Sequence, residues 1–189
     1  DVASNPNCPE SILESLAKDK DIWVRKDAAS NPGCPVPLLN CLAKDKEHWV
    51  RSEVASNPVC SFALLEELAK DKEHWVRSEV AAHPNCTLSL LEILAKDASG
   101  RVRGNVTSNH MCPMTLLESF ALDEDNEART AVASTPRCPS SLLVVLSEDE
   151  SEIVRLKVLS NPNCPEDILH KIMVETTAQI ETMSKPPMP

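Results

Sequence analysis

Eight cysteines in 189 residues are the first side chains here that could do chemistry. Seven stand at Cys8, Cys34, Cys60, Cys86, Cys112, Cys138 and Cys164, each 26 residues after the last, and only Cys41 falls off the series. Thiolates hold zinc from close pairs such as Cys-x-x-Cys, which a constant interval of 26 does not supply. A disulfide needs Cα atoms within about 7 Å. Equivalent residues of stacked helical units sit about 9–10 Å apart, so the column cannot pair along the stack. Cys34 and Cys41 are two helical turns apart and cannot meet either. The cysteines are therefore read as buried thiols packing as small hydrophobes at a turn. No metal site and no cofactor are expected, and unpaired thiols point to a reducing, cytoplasmic compartment.

Two further columns carry charge. Asp19, Asp45, Asp71, Asp97, Asp123 and Asp149 share one position of the unit, and Arg25, Arg51, Arg77, Arg103, Arg129 and Arg155 follow them by six residues. A row of arginines could grip a phosphate or an acidic peptide. Equal numbers in matching units favour a structural role instead, each Arg pairing with an Asp of its own or an adjacent unit. Aromatic residues make a third column: Trp23, Trp49 and Trp75, with His48 and His74 beside two of them. The plain reading is that each indole covers a seam between units, and the sharper one is a partner-binding surface. The column changes to Arg101, Glu127, Ile153 and Gln179 further on, which a pure packing need would not allow. Lys18, Lys44, Lys70 and Lys96 form a basic row, read as a solvated helix face. The three glycines are isolated and the five histidines scattered, so no phosphate loop or catalytic constellation emerges and the chain is read as a non-enzyme.

The elements that position these columns follow from the same period. Aligned on cysteine, the chain divides into repeats 1–26, 27–52, 53–78, 79–104, 105–130, 131–156 and 157–182 without insertion or deletion. Leucine is constant at the thirteenth position (Leu13, Leu39, Leu65, Leu91, Leu117, Leu143, Leu169), with apolar residues one before and three and four after it. That spacing is one stripe of an α-helix. Proline at the ninth position of most repeats suits the first turn of a helix, which predicts a helix over positions 9–18. The Asp at position 19 is expected to cap a second helix. That helix, α or 3₁₀, should stop at Asn-Pro, as in Asn57-Pro58, because a residue before proline leaves the α region. The asparagines Asn5, Asn31, Asn57, Asn109 and Asn161 are expected to satisfy turn backbone. Two such helices cannot bury their faces alone, so the repeats must stack. The predicted architecture is all-α, a solenoid with no β-sheet, forming one domain over 1–182. It enters in the middle of a second helix, with further repeats or a cap expected upstream. A capping helix is predicted between Glu166 and Lys185, and a disordered tail over 183–189.

The unit Val-Arg-x-x-Val-Ala-Ser-Asn-Pro-x-Cys-Pro-x-x-Leu-Leu-x-x-Leu-Ala-Lys-Asp resembles the variant leucine-rich repeat family, and it recurs seven times over 1–182. The resemblance implies a right-handed superhelix of alternating α- and 3₁₀-helices. HEAT repeats are similar in the Asp and Val-Arg positions, but longer. A member of the family carries an N-terminal iron–sulfur domain. Nothing in this chain matches that domain, so no cofactor is carried over, and the family has no common enzymatic activity.

Charge narrows the partners. Residues 1–104 carry 13 basic and 16 acidic side chains, and residues 105–189 carry 6 and 13, within a net charge of −10. This balance argues against nucleic acid and anionic membrane surfaces, and no apolar run is long enough to span a membrane. The leading expectation is a scaffold binding a protein or peptide along one face, with Trp23, Trp49, Trp75, His48 and His74 as the candidate surface. A second copy of the chain meeting at the Trp stripe is a variant of it. The alternatives are a nucleic-acid-binding helical repeat on the lysine row, and a non-catalytic module of a larger iron–sulfur or redox protein.

Overall fold

In the computed structural model, which describes residues 2–171, helices alternate in two lengths. The first helices of the repeats are α1 (Glu10–Leu16), α3 (Val36–Leu42), α5 (Phe62–Leu68), α7 (Leu88–Leu94), α9 (Met114–Phe120) and α11 (Ser140–Leu146). The second helices are α2 (Ile22–Ser30), α4 (His48–Ser56), α6 (His74–Ala82), α8 (Gly100–Ser108), α10 (Asn126–Ser134) and α12 (Glu152–Leu159). A further helix begins at Glu166. The described residues contain no strand. The predicted capping helix lies largely, and the tail wholly, outside the described residues. Residues 2–5 form a turn, closed by Asn5 N–H on the Val2 carbonyl, where the end of a second helix was expected.

Both kinds of helix are α. The 3₁₀ pattern implied by the resemblance is confined to helix ends, as in Lys18 N–H to Ser15 O and Asp19 N–H to Leu16 O. Pro9, Pro35, Pro113 and Pro139 stand one residue earlier than predicted, as N-caps in extended conformation whose carbonyls receive the first helical bonds. Ser61 and Thr87 replace proline in the third and fourth repeats and cap with their hydroxyls instead, accepting from Leu64 and Leu90 N–H. The second helices end as predicted, at an extended residue before proline: Asn31, Asn57 and, with histidine in that place, His83.

Helices of seven and nine residues are too short to persist alone, so packing between repeats carries the fold. Second helices stack directly on one another in a closely packed row, α2 on α4 on α6 on α8 on α10 on α12. Between α8 and α10 the row is tightest: Gly104 lets the backbone of Glu127 and the methyl of Ala131 approach to where a Cβ would lie only 3.3 Å from each. The constant leucines from Leu13 to Leu143 are completely buried beneath them, with Val50, Val54, Val76 and Val80 facing inward from the second helices.

Turn asparagines do more than satisfy their own turns. Asn57 accepts Val59 N–H on Oδ1 at 3.0 Å, and its amide donates back to the Ala29 and Asn31 carbonyls of the preceding repeat at 2.6 and 3.0 Å. Asn109 and Asn161 repeat the arrangement. His83 keeps both halves with a ring: Nδ1 accepts Asn85 N–H and Nε2 donates to the Asn57 carbonyl. Thr135 is too short to reach back, and Arg137 substitutes for it, its guanidinium donating to the carbonyls of Asn109, His110 and Cys112. A part-buried hydrogen bond contributes about 0.5–1.5 kcal/mol net. Arg137→Ala should therefore lower the unfolding free energy by an amount of that order, read as a lower urea midpoint, and Thr135→Asn added to it should restore most of the loss. Identical midpoints for wild type and Arg137→Ala would refute the staple.

Candidate functional site

The charged columns prove to be one ladder. Arg25 reaches forward into the next repeat, its Nε donating to Asp45 Oδ2 at 2.6 Å and Nη2 to Oδ1 at 3.1 Å. Its Nη1 stays in its own repeat, on the carbonyls of Asp19 and Lys20. One planar guanidinium thus fastens two successive turns. The same two-pronged contact joins Arg51 to Asp71, Arg77 to Asp97, Arg103 to Asp123 and Arg129 to Asp149. Arg155 makes the two backbone contacts, to Asp149 and Glu150. The position its fork would address in the next repeat lies outside the described residues.

Each Asp also accepts the N–H two residues ahead, as Asp71 does from Glu73 at 2.9 Å. The aspartates are therefore not the N-caps of the second helices. Position 21 is the N-cap instead, and its side chain caps in two repeats, Asp21 accepting Trp23 N–H and Asp125 accepting Glu127 N–H, while Glu47, Glu73, Ser99 and Ser151 make no such bond. Asp19, which meets no arginine fork, makes the same contact to Asp21 N–H, so the turn geometry and not the arginine sets the ladder aspartates short of the helix. Burial pushes each of these carboxyls up, but the Arg fork, the backbone N–H and the nearby charge outweigh it. Asp45, Asp71, Asp97, Asp123 and Asp149 are held below the usual carboxylate range. With Arg51 and Asp71 side chains only 8% and 9% exposed, this is internal fastening and not an open anion site.

The aromatic column lies elsewhere, on the outer face of the second-helix row. Each Trp is the second residue of its helix, where the side chain leans toward the N-terminal end. Trp23 is 61% exposed and Trp49 44%, and Trp75 is partly covered. Trp49 and Trp75 rings stand 6.2 Å apart, tilted by 33°, with His48 packed on Trp49 at 4.6 Å and His74 on Trp75 at 4.9 Å. Trp23 is set apart from this ring cluster, and the Lys26 ammonium lies 5.8 Å over it. The structure adds a residue that the sequence reading took for a break in the column. Arg101 occupies the same position in the fourth repeat and lays its guanidinium 4.2 Å over the Trp75 ring. Asp27, Glu53 and Glu79 form a parallel row four residues after the tryptophans, and Lys26 bridges to Glu53 at 2.9 Å. An i, i+4 count from each Trp would have found them.

Along the turns from first to second helix, Lys18, Lys44, Lys70 and Lys96 are exposed, as are Lys20, Lys46 and Lys72 beside them. In later repeats the corresponding turns carry Glu124, Glu148 and Glu150. The repeat cysteines are buried except Cys164, which is half-buried, and all are free thiols. Burial pushes Cys34, Cys60, Cys86 and Cys138 up to about 11. Cys41 is exposed, beside a groove of about 310 Å³ between α1 and α3. Among the described residues no group of three or more His, Cys, Asp or Glu could hold a metal ion, and no helix is long and apolar enough to cross a membrane.

No known family profile and no curated protein matches the chain. A solved structure does: "a leucine-rich repeat variant with a novel repetitive protein structural motif", at 28% identity and a TM-score of 0.58. The match covers 81% of this chain and 61% of that one, so this chain aligns with somewhat under two thirds of its relative's length.

Two outcomes follow from the geometry. Carboxyls with depressed values stabilise the fold above their unfolded pKa of about 3.9 and lose that contribution as pH falls through the folded values. Melting temperature should hold steady above pH ~5 and drop below pH ~4, and Asp71→Asn should cost about 3–5 kcal/mol at neutral pH by leaving Arg51 uncompensated. A melting temperature unchanged down to the lowest pH would count against the ladder. Separately, a thiol reagent on native protein should modify Cys41 first and Cys164 more slowly, reaching the other cysteines only after denaturation. Rapid reaction of all eight would contradict their burial.

Proposed function

We propose, taking the helical fold of the leucine-rich repeat variant as the premise, that this chain is a non-enzymatic cytoplasmic scaffold. It docks a protein or peptide along the outer face of its second helices. The observation that carries the reading is the exposure of two indoles in register on successive repeats, Trp23 and Trp49, continued by the Trp75–Arg101 stack. Neither ring is needed to close the core, which the leucine column and the inward valines already fill. Large exposed aromatics in a row are the usual anchors of partner surfaces, giving much contact area for little ordering cost.

The exposed lysines of the first four repeats favour a second reading, in which a polyanion lies along the turn edge. The carboxylates flanking the tryptophans weigh against extending that contact onto the aromatic row.

The test is a pull-down from the native host with wild-type protein and with Trp23→Ala plus Trp49→Ala. Because both rings are exposed, the double variant should keep its circular dichroism spectrum and melting temperature. It should lose a partner that the wild type retains. Capture undiminished in the double variant would remove the tryptophan row from the docking surface.

A further inference from the structure

We infer that the occupant of the tryptophan row is a cationic peptide, an extended polyproline segment presenting arginine at every third residue. The inference rests on the row being the docking surface and specifies the chemistry that fits it.

Carboxylates bracket every indole. Asp21 and Asp27 stand two before and four after Trp23, Glu47 and Glu53 do so for Trp49, and Glu73 and Glu79 for Trp75. Within a helix, the residue four ahead lies on the same face one turn along, so the second member of each pair borders the ring. Six carboxylates stand here against Lys26, Lys46 and Arg101. The Arg25, Arg51 and Arg77 charges that also reach Glu47 and Glu73 are already forked onto Asp45, Asp71 and Asp97, which leaves the row with an excess of negative charge. Glu79 shows the effect: burial and the charge of Glu53 push its carboxyl up, and only Arg101 acts against them. An arriving cation meets unbalanced carboxylates, whereas a phosphate is repelled by them.

The chain itself already shows what binds here. At one end of the row a Lys ammonium sits over Trp23 while paired with Glu53, and at the other a guanidinium lies 4.2 Å from the Trp75 ring centre. A cation over an indole face is attracted by the ring quadrupole, arginine most often. Trp75 is partly covered, with Arg101 and Trp49 against it, so the more exposed stations are Trp23 and, beside His48, Trp49. Lys26, at 5.8 Å, lies at the outer limit of such contacts and is displaceable.

Spacing selects the form of the ligand. Helices of successive repeats pack about 9–10 Å apart. A polyproline segment advances about 3.1 Å per residue with three residues per turn, so three residues span one repeat. Arginines three apart would lie on one side of a polyproline helix and meet Trp23 and Trp49 in turn.

All three tryptophans belong to this row and the chain has no tyrosine, so intrinsic fluorescence reports the site alone. The experiment titrates the protein with a synthetic peptide of repeated Ala-Pro-Arg units, with Ala-Pro-Gln and Ala-Pro-Glu peptides and a single-stranded RNA as alternatives. The Arg peptide should give a saturable fluorescence change that weakens with salt, and the Gln and Glu peptides should not. Trp49→Ala should lower its affinity about three- to tenfold, the loss of one cation–π contact. Trp23 and Trp75 still report binding in that variant. Asp27→Asn with Glu53→Gln should weaken it comparably while the indoles remain. Equal binding of the Arg and Gln peptides overturns the inference, as does tighter binding of the RNA. So does Arg-peptide affinity unchanged in either variant. A host partner that depends on Trp23 and Trp49, with no response to the Arg peptide, would refute the cationic chemistry and leave the docking surface standing. Failure of both would remove the surface as well.

Discussion

Each buried guanidinium must find a carboxylate twenty residues ahead while holding a carbonyl six residues behind, and this double demand governs the whole stack. Arg51 is an instance: its fork takes Asp71, and Nη1 takes the Asp45 carbonyl. A residue inserted or deleted between the two would leave a charge in a nearly dry site, at a cost of several kcal/mol. That is a physical reason for seven successive units of 26 residues without a gap. The ladder adds less by the strength of each pair than by the expense of any other register. A hydrophobic replacement could match its stability but would not enforce the spacing.

The asparagine staple on the opposite turns applies the same logic with neutral groups, and it tolerates change where the ladder does not. His83 reproduces an amide's acceptor and donor with its two ring nitrogens, and Arg137 reaches across from two residues away when Thr135 cannot. What recurs is a satisfied carbonyl just past the preceding second helix, that of Asn57 for His83 and of Asn109 for Arg137, not the residue that satisfies it. Neutral groups can be supplied from several directions, while a carboxylate fork must be met head-on.

Much of this was legible in the sequence because periodic burial leaves a periodic trace. The leucine column, the Asn-Pro helix stops and the inert cysteines follow from spacing alone, as does the pairing of Arg with Asp. The direction of that pairing was not legible, since own-repeat and next-repeat partners give the same column. Nor was the placement of the cap: Asp19 and Asp21 are both plausible by residue type, and only the turn, in which Asp19 accepts Asp21 N–H, separates them. Arg101 was misread as the end of the aromatic column. A sequence comparison scores Trp to Arg as a loss, whereas in space a guanidinium over Trp75 extends the same surface.

Where the ladder and the staple fix the turns, the outer face of the second helices carries no such obligation. Position 23 of the unit changes freely along the chain, from Trp23 to Glu127 and Ile153, whereas position 26 stays within the helix contacts, as Ser78 and Gly104 do. A face released from packing is the one place on a solenoid where each repeat can be specialised without disturbing the next, because contacts run only between neighbours. Aromatic rings on three adjacent repeats of such a face, bordered each time by carboxylates, are the feature on which the proposed docking surface rests. The solenoid's own stability does not require them: the fifth and sixth repeats put Glu127 and Ile153 there and stack on the same buried leucines.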